Sequence, residues 1–474
     1  MADTSLCRLT AVAAVDLLKR KKVSPLDLID AAEARIAEVD GALNAMVTRT
    51  YDRARTRAKS LDTRNAGHPG WLAGLPIAVK DLEDVEGVRT TFGSRVMKDN
   101  VSARTDLTVQ HLEAYGGLVI GKTNTPEYGA GAQTFNEVFG VTRNPWDTRM
   151  TCAGSSGGSA VALASGEIWL ATGSDLGGSL RTPASFCGVV GFRPSPGRIP
   201  TGPTALPLNT LSLHGPMGRC VADVALMLDA EARHDIRDPL TYDAPAVAYS
   251  TQVAAPVAPA RVAWAGTFGG LCPTDPEIME ITTAAFARFK ELGATTDAAS
   301  PDCAGARDAF QVFRGHNMAA THGATLDAHR DLLKPEVVWN IEYGRSLTAE
   351  NVRDAAKAQG ALIQRFAQFF STWDVMCFPG APVEPFPVEK RYVEEINGRK
   401  MPSYIDWVLG SSIVTMSGFP AICVPCGFTR SGLPVGMQLV GRPRGEGALL
   451  QAARLFEEAL GLYKRLPIDP VVRH

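Results

Sequence analysis

Apolar positions along the chain alternate between helical and extended spacing. Ile29, Ala32, Ile36 and Val39 recur at intervals of three, four and three, which is one face of a helix. Ser24-Pro25-Leu26-Asp27 supplies its start, with an N-cap serine, proline at the first helical position and an acid in the first turn; Gly41 is the expected stop. The short run Leu75–Val79 predicts a strand ending near Lys80. Residues 105–115 predict a helix stopped by Gly116-Gly117, and Leu118-Val119-Ile120 a buried strand. Residues 151–191 hold nine glycines interleaved with Ser and Thr, yet Ala160–Ala164 and Ile168–Ala171 are packable. That stretch reads as loop, helix, strand, loop, helix. Further on, Ala254–Ala260 reads as a loop, Phe310–Leu326 as a helix, Val375–Pro379 and Phe419–Pro425 as strands, and Gly447–Leu460 as a last helix. Such alternation predicts an α/β core.

Composition narrows the function classes. The 474 residues are 45% hydrophobic and 21% charged, with a formal net charge of −2, which excludes the basic face of a nucleic-acid binder. No apolar run approaches the ~18 residues of a membrane span. The first residues lack the basic and apolar regions of a secretory leader, so the expected location is the cytoplasm. Nine scattered cysteines predict buried thiols instead of a disulfide framework. Cys423-Val-Pro-Cys426 is a CxxC in a strand-like run with no second pair to complete a zinc site, so no metal is expected there.

Candidate chemistry gathers in three segments. In Gly173-Ser-Asp-Leu-Gly-Gly-Ser179-Leu-Arg181, paired glycines lead into a serine at a helix start. Glycine lets N–H groups converge on one point, and a helix N-terminus adds donors and partial positive charge, which suits a phosphate or an oxyanion. A tight helix entry without function explains these residues equally well. Gly154-Ser155-Ser156-Gly157-Gly158 matches the G-x-S-x-G nucleophile elbow, but Thr148–Ala153 makes a poor preceding strand. A serine nucleophile needs a base. None of the eight histidines lies in an informative motif, whereas Lys80 closes an apolar strand. A strand-end lysine is ordinarily a snorkelling surface residue.

Taken together, Gly74-Leu-Pro-Ile-Ala-Val-Lys80-Asp81, Gly154–Ser159 and Asp175–Pro183 resemble the amidase signature family. Gly121–Glu127, Arg143–Asp147, Gly188–Arg198, Gly418–Ala421 and Gly432–Gln438 extend the likeness over nearly the whole chain, weakest at about 236–360. The resemblance implies one large α/β domain over 1–474, with a mixed central β-sheet flanked by α-helices on both faces. Its signature core would span about 70–230, a variable pocket segment about 236–360, and the remainder 361–474. It further implies Ser179 as nucleophile, Ser155 as a proton-passing serine after a cis peptide bond, and Lys80 as general base. Backbone N–H groups of Leu176, Gly177, Gly178 and Ser179 would form an oxyanion hole. Ser156 and Ser174 would support by hydrogen bonding, and Asp175 and Arg181 by a buried ion pair. Cys152-Ala153 stands where Pro-Gly is usual in the family, and Leu176 where Thr is frequent.

The implied activity is hydrolysis of small amides through an acyl-enzyme, with anilides, esters and carbamates (urethanes) as further substrates. Lys80 must be neutral to accept a proton, and an ordinary lysine at pH 7 is neutral in only about one molecule in 2,500. Burial must therefore bring its pKa down to near 7. Gln133, Phe135, Phe139 and Met150 are candidates to line the pocket, with plain packing as the alternative for each. The implied mechanism requires no metal or cofactor, and the expected partner is a small amide or carbamate, with no nucleic acid and no membrane. Homodimers are common in the family, but no feature of this chain fixes an oligomeric state. Three other readings stand beside this one: an amidotransferase A-subunit-like glutaminase with partner subunits, an α/β-hydrolase using Ser156 and a histidine, and an inactive scaffold.

Overall fold

The two apolar runs that end at Lys80 and Thr123 pair in parallel, Pro76 opposite Leu118 and Lys80 opposite Thr123. In this computed structural model, which describes residues 3–473, they belong to one large sheet. Its strands in chain order are β1 (Met46–Arg49), β2 (Pro76–Lys80), β3 (Leu118–Thr123), β4 (Leu170–Asp175), β5 (Val190–Arg193) and β6 (Leu213–Gly218). The second half supplies β7 (Arg261–Trp264), β8 (Thr295–Ala298), β9 (Val375–Pro379), β10 (Ala421–Phe428) and β11 (Pro434–Val440). The 11 strands lie in the order β1-β3-β2-β4-β6-β5-β10-β11-β9-β7-β8. Pairing is parallel among β3, β2 and β4 and again among β9, β7 and β8, and antiparallel through the middle. Every residue of β2, β3 and β4 is buried, so helices cover both faces there, as near-continuous apolar strands require. The molecule is a single mixed α/β domain.

Local signals explain most elements. The helix Pro25–Leu43 starts with a full capping box between Ser24 and Asp27. It does not stop at Gly41; it runs on to Leu43, and Asn44 ends it in the left-handed conformation at φ +57°. Asn44 tolerates that geometry because its Nδ2 donates to the carbonyls of Phe139 and Val141. Residues 151–191 fold as read: a loop, the helix Gly157–Ala164, β4, a second loop and the helix Arg181–Cys187. The weak segment before the first loop does become a strand, Asp147–Thr151, but in a two-stranded ribbon with Arg143–Asn144 outside the main sheet. All nine cysteines are buried free thiols, Cys423 and Cys426 within β10. Among the described residues no helix is long and apolar enough to cross a membrane, and no cluster of side chains is suited to a metal.

The variable segment is mostly helical: Ala306–His329, Pro335–Ser346 and Ala349–Thr372. The first two cross at Gly315 and Gly344. A Cβ added to Gly344 would collide with the Gly315 carbonyl oxygen, so this approach requires glycine.

Candidate active site

Lys80 is held at the end of β2, where its backbone N–H donates to Thr172 Oγ1 on the neighbouring β4. The side chain is completely buried. Its Nζ donates to three serine hydroxyls: Ser155 Oγ at 2.7 Å, Ser156 Oγ at 2.9 Å and Ser174 Oγ at 3.0 Å. Burial penalises the ammonium and pushes its pKa down to about 7, against the opposing pull of the Glu83 and Asp175 carboxylates. Half of the population is then neutral near pH 7; such a lysine keeps two N–H donors and has one lone pair to accept from one of the three hydroxyls.

The first serine loop presents Ser155 after a cis Gly154–Ser155 peptide bond. Gly154 packs tightly on Gln133, since a Cβ there would meet the Gln133 carbonyl carbon at 2.9 Å. Ser156 faces inward, and its N–H donates to the Ser179 carbonyl at 3.2 Å, tying the two loops together. Among the described residues its Oγ has no imidazole partner; it touches Lys80 and the Ser174 backbone only. The elbow reading therefore lacks both the sheet strand before Ser156 and the histidine beside it.

Asp175 organises the second loop. Its carboxylate accepts from the N–H groups of Gly178 (3.0 Å) and Leu180 (3.1 Å) and from two guanidinium nitrogens of Arg181. Arg193 on β5 adds a second cation at 3.4 Å. Burial raises the Asp175 pKa, but the two guanidiniums and these hydrogen bonds outweigh it and hold the group well below the ordinary carboxylate range. Arg181 is anchored in turn by Gln438 Oε1 (2.8 Å), Ser411 O (3.1 Å) and Thr415 Oγ1 (3.2 Å). Gly178 takes φ +113°, a backbone conformation that other residues rarely adopt.

One expectation changes here. The Gly178 N–H is already engaged by Asp175, which removes it from the free donors. The N–H groups of Leu176, Gly177 and Ser179 make no hydrogen bond among the described residues. Ser179 Oγ is also without a partner among the described residues, and Ser179 shares with Ser155, Leu176 and Gly177 the lining of a cleft of about 680 Å³ including its mouth.

The four pocket candidates fall elsewhere. Gln133 is buried behind Gly154, with its Nε2 donating to Val388 O. Phe135 lies under the Lys334 ammonium and the Arg391 guanidinium, Phe139 under Arg89, and Met150 bridges to Pro387. None of them lines the cleft. Its walls come instead from Tyr128–Ala132, from Arg314, Met318 and Asn340 of the variable helices, and from Tyr404, Ile405 and Val408. Thr172 and Arg193 also belong to the site without having been foreseen, because a buried strand residue carries no mark of what it faces across the sheet.

The family model described as Amidase matches residues 27–450. An acylamidase of Rhodococcus erythropolis is 33% identical over the full length of both chains. The glutamyl-tRNA(Gln) amidotransferase A-subunit of Moorella thermoacetica is 35% identical, covering 97% of this chain and 98% of its own. The crystal structure of a bacterial aryl acylamidase of the amidase signature family superposes with a TM-score of 0.89 at 28% identity, covering 97% of this chain and 98% of that one. With a matching family model over most of its length and relatives of equal length, the chain belongs to the amidase signature family and is an amidase-signature hydrolase.

Proposed function

We propose that the chain hydrolyses the C–N acyl bond of small amides through a Ser179 acyl-enzyme, with Ser155 and Lys80 as a proton relay. The observation that carries this reading is the 2.7 Å contact of a wholly buried Lys80 Nζ with Ser155 Oγ, beside a cleft that Ser155 and Ser179 line together. Neutral Lys80 takes the Ser155 proton while Ser155 takes the Ser179 proton. Ser179 Oγ then bonds to the substrate carbonyl carbon, and the resulting oxyanion meets the N–H groups of Leu176, Gly177 and Ser179. Losing one such donor costs roughly 3 kcal/mol of transition-state stabilisation. The relay returns the proton to the leaving nitrogen as the C–N bond breaks, because an amide anion is a poor leaving group. Water then cleaves the acyl ester by the same relay, releasing the acid. Every proton in this cycle is held by this chain's own residues, the substrate or water.

Anilides are the first substrates to test, given the likeness to acylamidases, and aryl esters and carbamates follow because the same attack opens them. A glutaminase role is the second reading, favoured by the identity to amidotransferase A-subunits. A fluorophosphonate probe with peptide mass spectrometry decides the site. The adduct is expected on Ser179, absent in Ser179→Ala and weakened in Lys80→Ala. An adduct on Ser156, or full turnover by Lys80→Ala at neutral pH, would sink the relay. Ammonia release from glutamine exceeding anilide hydrolysis would favour the second reading.

A further inference from the structure

Among the described residues Arg314 is the one charged side chain lining the cleft, and no carboxylate lines it. It is 3% exposed. A guanidinium carries five N–H donors. Two are used, Nη1 donating to Tyr404 Oη at 2.9 Å and Nη2 to Gln311 Oε1. Among the described residues the other three meet no acceptor, and Nε is buried without a partner. Both partners are neutral, so the charge has no anion beside it. The faces of Trp339 and Tyr404, 5.1 and 5.4 Å from the guanidinium carbon, stabilise the cation without filling its hydrogen bonds. Tyr404 Oη already accepts from Arg314 and from Asn340 Nδ2 at 2.8 Å, which leaves its own O–H free to donate. The Lys334 ammonium, also without an acceptor, sits behind another wall residue: a Cβ on Gly131 would lie 3.1 Å from it.

A buried cation is normally paired. Here the pair is missing on the protein side of a cleft whose remaining lining is largely neutral. We propose that Arg314, with Tyr404, is an anion subsite that takes a carboxylate carried by the amide substrate, away from the bond being cleaved. The planar fork, with one N–H left free on each terminal nitrogen, suits a planar carboxylate. The substrate class is thus a carboxylated amide, such as a dicarboxylic acid monoamide or an N-acyl amino acid. This inference rests on the proposed amide hydrolysis at Ser179.

The test compares glutaric acid monoanilide with its methyl ester. In wild type, kcat/KM for the acid should exceed that for the ester by at least about tenfold, mainly through KM, as a charge-assisted hydrogen bond in a desolvated site would give. Arg314→Gln should bring the ratio to about one. Free glutarate should inhibit wild type competitively and protect Ser179 from the fluorophosphonate. Equal kcat/KM values in wild type, a preference for the ester, or a ratio unchanged in Arg314→Gln would overturn the proposal. Should Arg314→Gln fail to fold, the wild-type ratio and glutarate protection decide alone. If Ser179 does not label and no anilide turns over, the hydrolase reading fails. Calorimetric binding of glutarate then still reads the subsite: binding lost in Arg314→Gln supports it, and no binding by wild type overturns it.

Discussion

Lowering the pH through 7 should switch the enzyme off by protonating Lys80. Burial brings this group from the ordinary 10.5 to about 7, which at about 1.4 kcal/mol per tenfold is about 5 kcal/mol against the ammonium. At pH 7 about half of the chains hold a neutral lysine, whereas an ordinary lysine would leave only about one in 2,500. The base must be neutral in the free enzyme, so kcat/KM should be flat above pH 8 and fall about tenfold per pH unit below 7. The sign is open to a second perturbation. Glu83 is wholly buried, and its carboxylate favours the ammonium. Glu83→Gln removes that charge, so the inflection should move to lower pH and activity at pH 6 should rise relative to the plateau. Glu83 itself is pushed up to about 7 by burial, so it is half-protonated at the inflection and the displacement is smaller than a full charge would give. The assay is initial-rate hydrolysis of a neutral anilide between pH 5 and 9.5, with circular dichroism to confirm folding at each end. A flat profile from pH 5.5 to 8, an inflection near 10, or an upward displacement in Glu83→Gln would refute the reasoning.

The same lysine makes a stability prediction: between about 7 and 10.5 the unfolded chain binds the proton that the folded chain has lost, so stability rises with pH across that window. Lys80→Met should therefore be inactive yet more stable at pH 7. Relief of about 4 kcal/mol exceeds the loss of three serine hydrogen bonds at about 1 kcal/mol each, and the advantage should vanish toward pH 10.5, as read by urea unfolding. Asp175→Asn leaves Arg181 and Arg193 without their buried anion; it should cost about 3–5 kcal/mol in urea unfolding and abolish labelling of Ser179. Gly344→Ala must separate the two helices that cross at Gly315; kcat/KM for the anilide should fall through KM, while fluorophosphonate labelling of Ser179 persists. Unchanged KM in a folded Gly344→Ala would show that the crossing does not set the cleft.

Much of the fold was legible because local signals and tertiary burial agree. Ser24 and Asp27 cap the helix that the apolar spacing demands, and the runs before Lys80 and Thr123 are buried strands. Where they differ, a distant contact decided. Asn44 could end the helix Pro25–Leu43 because two carbonyls near residue 140 receive its amide, which no local pattern records. Thr148–Thr151 has poor strand composition, but the ribbon with Arg143–Asn144 supplies its ladder.

The two serine loops were readable for a different reason than the pocket. Their geometry needs glycine where backbone meets backbone, as at Gly154 against Gln133 and Gly178 at φ +113°, so the constraint is written in residue type. Lys80 alone was ambiguous: a strand-end lysine reads the same whether it snorkels outward or turns under two loops. Only the joint presence of three segments separated those cases. The pocket carries no such constraint. Phe135 and Phe139 are apolar and near the loops in sequence, yet they lie under cations and outside the cleft lining. Arg314 looks like an ordinary polar residue of a helix, and nothing local distinguishes it from arginines that face water. In the fold it lines the cleft beside Gly315, where the two helices cross, and Tyr404, 90 residues away in sequence, bonds both to it and to Asn340. Chemistry that depends on backbone conformation is thus recorded locally, whereas specificity assembled from side chains on separate helices emerges only when the chain is folded.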